Sequence, residues 1–272
     1  MKERFRIIDF FLNSPVACGV TKKPKDPIVD IDAADVDDEL AAVEYIEDIY
    51  NFYKLTVDDV HEKFELTSES LYLTVNIVDS FLSVKIVPRR ELQLVGISSM
   101  LIACKYEEIW APEDFIAISD NAYVREQVLL MEKAILGKLD WYLTVPTPYV
   151  FLVRYIKSSI PADKEMKNMT FFYAELGLTN YATIINYSPS MLSASAVYAA
   201  RYTLIRSPLW TETLKHHTGY SEDQLMECAK LLVGLYFVVG ENKLKAVARK
   251  YSNPERGAVA LFAPARNLVS SV

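Results

Sequence analysis

Apolar and polar positions along this chain follow a helical period through most of its length. From Leu92 to Cys104 the residues are apolar or small nearly all the way round. Such a helix belongs at the centre of a bundle and not on a surface. Its small residues, Gly96, Ser98, Ser99, Ala103 and Cys104, let neighbouring helices come close. The rod then ends in Lys105, Glu107 and Glu108, so it delivers a charged cluster to one rim. Partners for it can be read on both sides. Ala42, Ile46, Ile49 and Tyr53 recur at helical spacing and make one apolar face. Val57, Val60 and Phe64 line a segment, Leu55 to Leu66, that is short for a helix standing alone. Leu71, Val75, Val78 and Leu82 form a stripe widened by Tyr72, Ile77 and Phe81, with Thr67 or Ser68 as its N-cap. Pro88 sits where a first turn tolerates proline and opens the central helix. Ile109 to Glu113 breaks the pattern, and Asp114 to Ile118 allows one or two turns. Val124 to Leu139 then puts Val128, Met131, Ile135 and Leu139 on one face. Trp141 to Pro148 closes the unit, with a boundary near Pro146.

The second half repeats this logic with predicted helices at Tyr149–Ser158, Lys164–Leu176, Pro189–Leu204, a short Trp210–His216, and Ser221–Val239. Its small-residue helix, Ser193 to Tyr202, is patterned like Ser98 to Tyr106, with Arg201 standing 96 positions after Lys105. A repeat of that length predicts a duplicated helical bundle and not a solenoid. From Glu241 onward, Lys243, Lys245, Arg249, Lys250 and Arg256 predict a mobile or solvated end. At the other end, Lys22 to Pro27 reads as a linker. It precedes an acidic stretch, Asp30, Asp32, Asp35, Asp37, Asp38 and Glu39, which suits the positive end of a helix beginning at Leu40.

Composition narrows the function. A hydrophobic fraction of 51%, with 24% charged residues, is that of a globular chain, and eight glycines in 272 residues favour helix over sheet. The net charge of −7 opposes the clustered basic surface that nucleic acid requires. Cys18, Cys104 and Cys228 form no CxxC and no even-numbered framework, which suits a reducing compartment. No apolar run reaches the roughly 18 residues of a membrane span. Ile7 to Leu12 is broken by Asp9, so a signal peptide is not expected. Without one, the glycosylation patterns at Asn168 and Asn186 carry no meaning. There is no GxGxxG, P-loop, HExxH or GxSxG. His216 and His217 are adjacent, about 100° apart on a helix, and cannot both face one metal. His61 lies among acidic residues as a surface residue, and Asp30 and Asp32 lack an EF-hand frame. Glu107 and Glu108 have no convergent partner that would make them catalytic acids. No catalytic residue, metal or cofactor is therefore expected, and the weight moves to binding.

At Lys105-Tyr106-Glu107-Glu108-Ile109-Trp110-Ala111-Pro112 the sequence resembles the first cyclin box, and more closely that of plant B-type mitotic cyclins. Leu71 to Asp79 with Phe81-Leu82 resembles the second helix of that box, and Leu92 to Gly96 the opening of its third. Met131-Glu132-Lys133 to Leu143 resembles its fifth helix, and Pro146-Thr147 with Phe151-Leu152 the start of the second box. Trp210 and Leu214 to Tyr220 resemble the plant members there. The resemblance runs from about Pro27 to Ala263. It implies an all-α fold of two tandem five-helix cyclin boxes, the first incomplete. The expected division is 1–38 as an N-terminal arm and acidic linker, 39–145 as the first box, 146–264 as the second, and 265–272 as a tail. It also implies a non-catalytic regulatory subunit that binds and activates a cyclin-dependent serine/threonine protein kinase at G2/M and in mitosis. The implied partners are that kinase and, indirectly, its substrates, with no nucleic acid and no membrane, in nucleus and cytoplasm. On the resemblance, Lys105 and Glu132 reach the mobile helix of the kinase, and Glu108, Tyr45 and Ile49 also bind the kinase. That helix then carries its own glutamate inward to the ATP-site lysine, completing the active site.

The departures from the family pattern shape the expectation. Tyr53-Lys54 runs directly into Leu55 to Phe64, where the family has a longer stretch and a first helix beginning Met-Arg-x-Ile-Leu with a tryptophan one turn on. Only Asp59, Leu92 and Gln93 remain as a remnant of the substrate-docking patch. The N-terminus lacks the length of the usual regulatory arm and shows no destruction-box segment. Arg89-Arg90-Glu91-Leu92 fits RxxL but falls in a packed helix. Losing core side chains of that first helix costs about 2–5 kcal/mol each. The first box is accordingly expected to be repacked or marginal, and the second intact. The alternative function is a cyclin-like helical adaptor, or a truncated isoform that does not activate a kinase. A transcription-factor-type nucleic-acid binder is disfavoured by the charge.

Overall fold

The structure is a computed structural model and describes residues 66–108, 122–239 and 246–269. The expectations for the helix at Ala42–Tyr53, for all but the last residue of Leu55–Leu66, and for the turns at Asp114–Ile118 lie outside those residues. Among the described residues every regular element is a helix.

The first bundle is built on α1 (Ser68–Leu82), α2 (Leu92–Glu107) and α3 (Arg125–Lys138). Thr67 caps α1, its hydroxyl accepting from the Ser70 N–H at 3.4 Å. Pro88 does not open α2 directly. It is extended, and a single 3-10 turn, Arg89–Glu91, intervenes, closed by Glu91 N–H to the Pro88 carbonyl. Every residue of α2 from Leu94 to Cys104 is buried, as the all-round apolar pattern requires. The small Ser98 spans the gap to α3, donating to the Val128 carbonyl at 3.2 Å. Val128, Met131 and Ile135 of α3 are buried with Leu92, Val95, Ile102, Ile77 and Phe81 in one core, and Leu139 packs on its edge. The helix stops in a left-handed turn at Asp140 and Trp141, where the Trp141 N–H reaches back to the Leu136 carbonyl.

The second bundle comprises α4 (Pro148–Ser158), α5 (Lys164–Leu178), α6 (Tyr181–Asn186), α7 (Pro189–Thr203), α8 (Glu212–Thr218) and α9 (Glu222–Val239). α7 is its buried rod and packs on α4, α5 and α9. The repeat extends beyond the one helix that the sequence pattern matched. α5 and its cap Asp163 lie 96 positions after α1 and Thr67, and α9 begins within one residue of the same offset from α3. α6 is an element the sequence reading did not anticipate, and α5 runs two residues further than expected. Near the end of α5, Gly177 lets the helix lie close to α7 and α9: an added Cβ would meet the Leu192 and Leu232 side chains at 2.8 and 2.9 Å, and these would have to shift.

The C-terminal expectation fails. Residues after 245 are not a solvated end: α10 (Ala246–Ser252), two 3-10 turns and α11 (Arg266–Val269) fold back onto the second bundle. Ala246, Val247, Tyr251, Val259, Ala265 and Leu268 are buried in its core. Lys250 is only 6% exposed in its side chain because Glu175, 2% exposed on α5, lies inside. The ammonium meets both carboxylate oxygens at 2.9 Å, and the Tyr251 hydroxyl donates to the same carboxylate at 2.7 Å. The basic residues, read alone, concealed the apolar set between them.

α1 also joins the two bundles. Leu73, Ile77 and Phe81 face the first core, while Leu71 and Tyr72 belong to the second. Tyr72 stacks obliquely on Tyr149 of α4 and edge-on to Phe171 of α5, with centroids 6.1 and 6.4 Å apart.

Candidate functional site

The charged end of α2 sits at the rim of the first bundle. Lys105, in the last turn of α2, pairs with Glu132 on α3, its ammonium 2.7 and 2.9 Å from the two carboxylate oxygens. The lysine side chain is 46% exposed and the glutamate 13%, so the pair is seated at its base and open at its cation. An ammonium has three donors, and one remains to face outward. Tyr106, half exposed beside Lys105, shares a 2.8 Å hydrogen bond with the Thr144 hydroxyl. Leu129 stands one turn before Glu132 on the same face of α3 and is exposed. The rim thus combines one cation, one carboxylate and an apolar surround, chemistry for gripping a partner's backbone and charged groups.

Glu108 is placed differently from its two neighbours in the expected site. One of its oxygens accepts from the Thr67 N–H at 2.9 Å, the Thr67 hydroxyl at 2.8 Å and the Ser70 hydroxyl at 2.8 Å. Burial raises the pKa of this carboxyl, but those three donors outweigh it and hold it below the ordinary range. Glu107 goes the other way, raised by burial and then by the charges of Glu69 and Glu108. Cys104 behind them is pushed up to about 12, chiefly by burial and further by the Glu108 charge, so its thiol is no nucleophile.

Of the remnant docking patch, Leu92 is buried in the first core and presents no apolar wall to solvent, and Gln93 is half-buried. Leu92 is the first α2 residue to enter the core. Asp59, Tyr45 and Ile49 lie outside the described residues. Arg89-Arg90-Glu91-Leu92 forms the 3-10 turn and the first α2 residue, with Arg90 paired to Glu91 at 4.0 Å. His216 and His217 are 5.2 Å apart with their rings at 74°, and His217 Nδ1 stands 3.4 Å from the Arg154 guanidinium. Among the described residues no cluster of metal-ligating side chains occurs and no helix is long and apolar enough to cross a membrane.

Comparison with known proteins settles the family. A family profile described as the cyclin N-terminal domain matches residues 55–144, and one described as the cyclin C-terminal domain matches residues 146–265. G2/mitotic-specific cyclin S13-7 of Glycine max is 64% identical over 77% of this chain and 82% of its own length. The chain belongs to the cyclin family. It is also 59% identical to G2/mitotic-specific cyclin S13-6 of Glycine max, across 94% of this chain, and 54% identical to cyclin-B1-2 of Arabidopsis thaliana, across 95%. It spans only 62% and 64% of the lengths of those two proteins. Among solved structures, a viral cyclin from herpesvirus saimiri superposes with a TM-score of 0.59 at 20% identity, covering 69% of this chain and 86% of that one. A chain of the yeast RNA polymerase II CTD kinase CTDK-1 complex gives 0.59 at 13% identity, covering 84% and 82%. These two likenesses speak for the fold.

The alignment lengths carry a further fact about this cyclin. For S13-6, 94% of 272 residues is about 256, so about 29 of the 285 aligned positions have no residue here. For S13-7, 77% of 272 is about 209, against 212 aligned positions. The alignment with S13-7 is thus nearly free of such positions.

The two cyclin boxes also differ where they should match. The counterpart of Lys105 is Arg201, which is 2% exposed and turned inward. It donates to the carbonyls of Leu209 and Pro208 at 2.9 and 2.7 Å and to the Ser159 hydroxyl at 2.9 Å. The counterpart of Glu132 is Cys228, fully buried. At these matching positions the first box holds an exposed ion pair and the second box does not. Sequence pattern missed Thr67, Ser70 and Thr144 as members of the rim. The hint was available in Thr67-Ser68-Glu69-Ser70, a cap sequence without the usual carboxylate at its fourth position.

Proposed function

We propose that this cyclin is the regulatory subunit of a cyclin-dependent serine/threonine protein kinase, binding and activating it for entry into and passage through mitosis. The observation that carries the reading is the Lys105–Glu132 pair, preformed and outward on the first box, on a chain closely related to G2/mitotic-specific plant cyclins. Lys105 caps acceptors of the kinase's mobile helix with its third N–H, and Glu132 receives donors from it. The helix is thereby held with its own glutamate against the ATP-site lysine, and the transfer chemistry belongs to the kinase. The chain contributes no catalytic group of its own and works in nucleus and cytoplasm.

A second reading has a specific observation behind it. About 29 positions of S13-6 have no counterpart here and Leu92 is buried, which supports a reading in which the substrate-docking patch is reduced. On that reading the chain binds a kinase as an adaptor without full activation. A pulldown with a plant cyclin-dependent kinase followed by a histone-kinase assay separates the two. Binding with phosphorylation supports activation. Binding without phosphorylation favours the adaptor, and no binding by a folded chain sinks both.

A further inference from the structure

The start of α1 has an unusual cap. A threonine N-cap is commonly completed by a glutamate three residues on, whose carboxylate returns to the N-cap N–H. Here that position is Ser70, which is too short to do so and donates its hydroxyl instead. The missing carboxylate comes from another helix: Glu108, immediately after α2, takes the Thr67 N–H, the Thr67 hydroxyl and the Ser70 hydroxyl on one oxygen. Glu108 is also the C-cap of α2, its own N–H bonded to the Cys104 carbonyl at 2.9 Å. Lys105 lies three residues earlier, one turn back along α2. The first turn of α1 is in turn fixed by Leu71 and Tyr72 in the core of the second box. A continuous path of contacts therefore runs from the second box through α1 to the end of α2.

We propose that Glu108 is a positioning residue, which completes the cap of α1 from the end of α2 and so fixes where Lys105 stands for the partner kinase. Its carboxylate works inside the molecule and is not itself the group that grips the kinase. The effect on kinase binding rests on the function proposed above, whereas the effect on the cap does not.

The test compares Glu108→Ala, Glu108→Gln, and the pair Thr67→Val with Ser70→Ala, in the whole chain. Amide hydrogen exchange of the first turn of α1 is measured without kinase, and affinity is then measured for a cyclin-dependent kinase. Glu108→Ala is expected to speed that exchange about tenfold and to weaken binding by about as much, the loss typical of a removed cap. Glu108→Gln keeps an acceptor oxygen and recovers most of both, leaving about a twofold deficit. The Thr67/Ser70 variant, with two of the three donors gone, mimics Glu108→Ala. Unchanged exchange in Glu108→Ala overturns the proposal. So does an equal loss of binding in Gln and Ala, since charge at the kinase surface, and not an acceptor at the cap, would then be what matters. If the parent chain binds no kinase, the proposed function fails, and the exchange measurement still decides whether Glu108 makes the cap.

Discussion

Lys105 and Glu132 do little for the fold and, on the function proposed, much for the partner. A half-exposed ion pair contributes about 0.2–1 kcal/mol to stability because water solvates both ions nearly as well. Lys105→Glu is therefore expected to shift the urea midpoint only slightly. The same change places a carboxylate against acceptors of the kinase helix, and truncated charge contacts of this kind cost about 2–5 kcal/mol in binding. The double variant Lys105→Glu with Glu132→Lys restores an internal pair with its polarity reversed and is expected to stay deficient. Isothermal titration against a kinase reads this directly, and a double variant that binds like the parent would refute the assignment. Glu107 gives a pH-dependent contrast. Burial and the neighbouring Glu69 and Glu108 raise its folded pKa, so its ionised form is disfavoured in the native state. Its native-state contribution is best at low pH and is lost as pH rises through that raised value. Glu107→Gln should thus gain stability at pH 7, by less than about 0.5 kcal/mol. In urea unfolding the gain should shrink as pH falls from that raised value toward the ordinary glutamate pKa of about 4.3 and be gone below it. At this scale the charged end of the apolar rod marked the rim, and the family resemblance singled out Lys105 and Glu132 on it. The sequence did not disclose which carboxylate works inward, since that depends on where Thr67 lies in space.

Helices whose burial is one-sided or complete were legible from period alone. α2 and α7 appeared as apolar rods, and α3, α4, α5 and α9 had bounds within a few residues of those observed. The errors fall where an element is held by something distant. α10 was invisible because its charge, Arg249 and Lys250 in seven residues, outweighs its apolar set until Glu175 is known to lie opposite. Charge was read as solvation, where at Lys250 it is compensation for a buried acid. This makes a sharp prediction at the scale of the element. Lys250→Met leaves the buried Glu175 carboxyl short of its cation, a loss of about 3–5 kcal/mol. The double variant with Glu175→Leu removes the whole pair and should recover much of that loss. A double-mutant cycle in urea measures the coupling, and additive losses would mean that the C-terminal segment is not held by this pair. The positional match of Arg201 to Lys105 teaches the same lesson. The residue type repeats at the expected offset, but the carbonyls of Pro208 and Leu209 turn the second cation into a loop clamp.

At the scale of the molecule, α1 decides how the two boxes behave. Its opposite faces lie in separate cores, so the first box cannot release α1 without opening the second at Leu71 and Tyr72. The first box therefore draws support from its neighbour through α1. In a Trp110→Phe/Trp141→Phe background the chain is expected to unfold as one unit: Trp210 fluorescence, which then reports the second core, and amide exchange in α2, which reports the first, should give the same free energy. Tyr72→Ala removes the aromatic that meets Tyr149 and Phe171, at a cost of about 3–5 kcal/mol. That is a large part of the roughly 5–15 kcal/mol holding a domain together. The two probes should then separate, with α2 exchanging at a lower free energy than Trp210 reports. Tyr72→Phe is the control. The Tyr72 hydroxyl is buried and makes no hydrogen bond among the described residues, so its loss should cost nothing and the probes should stay together. Coincident probes in Tyr72→Ala would mean that the boxes are joined elsewhere. Separation would identify α1 as the coupling element, and with it the reason that a rim on the first box presents Lys105 in a fixed place.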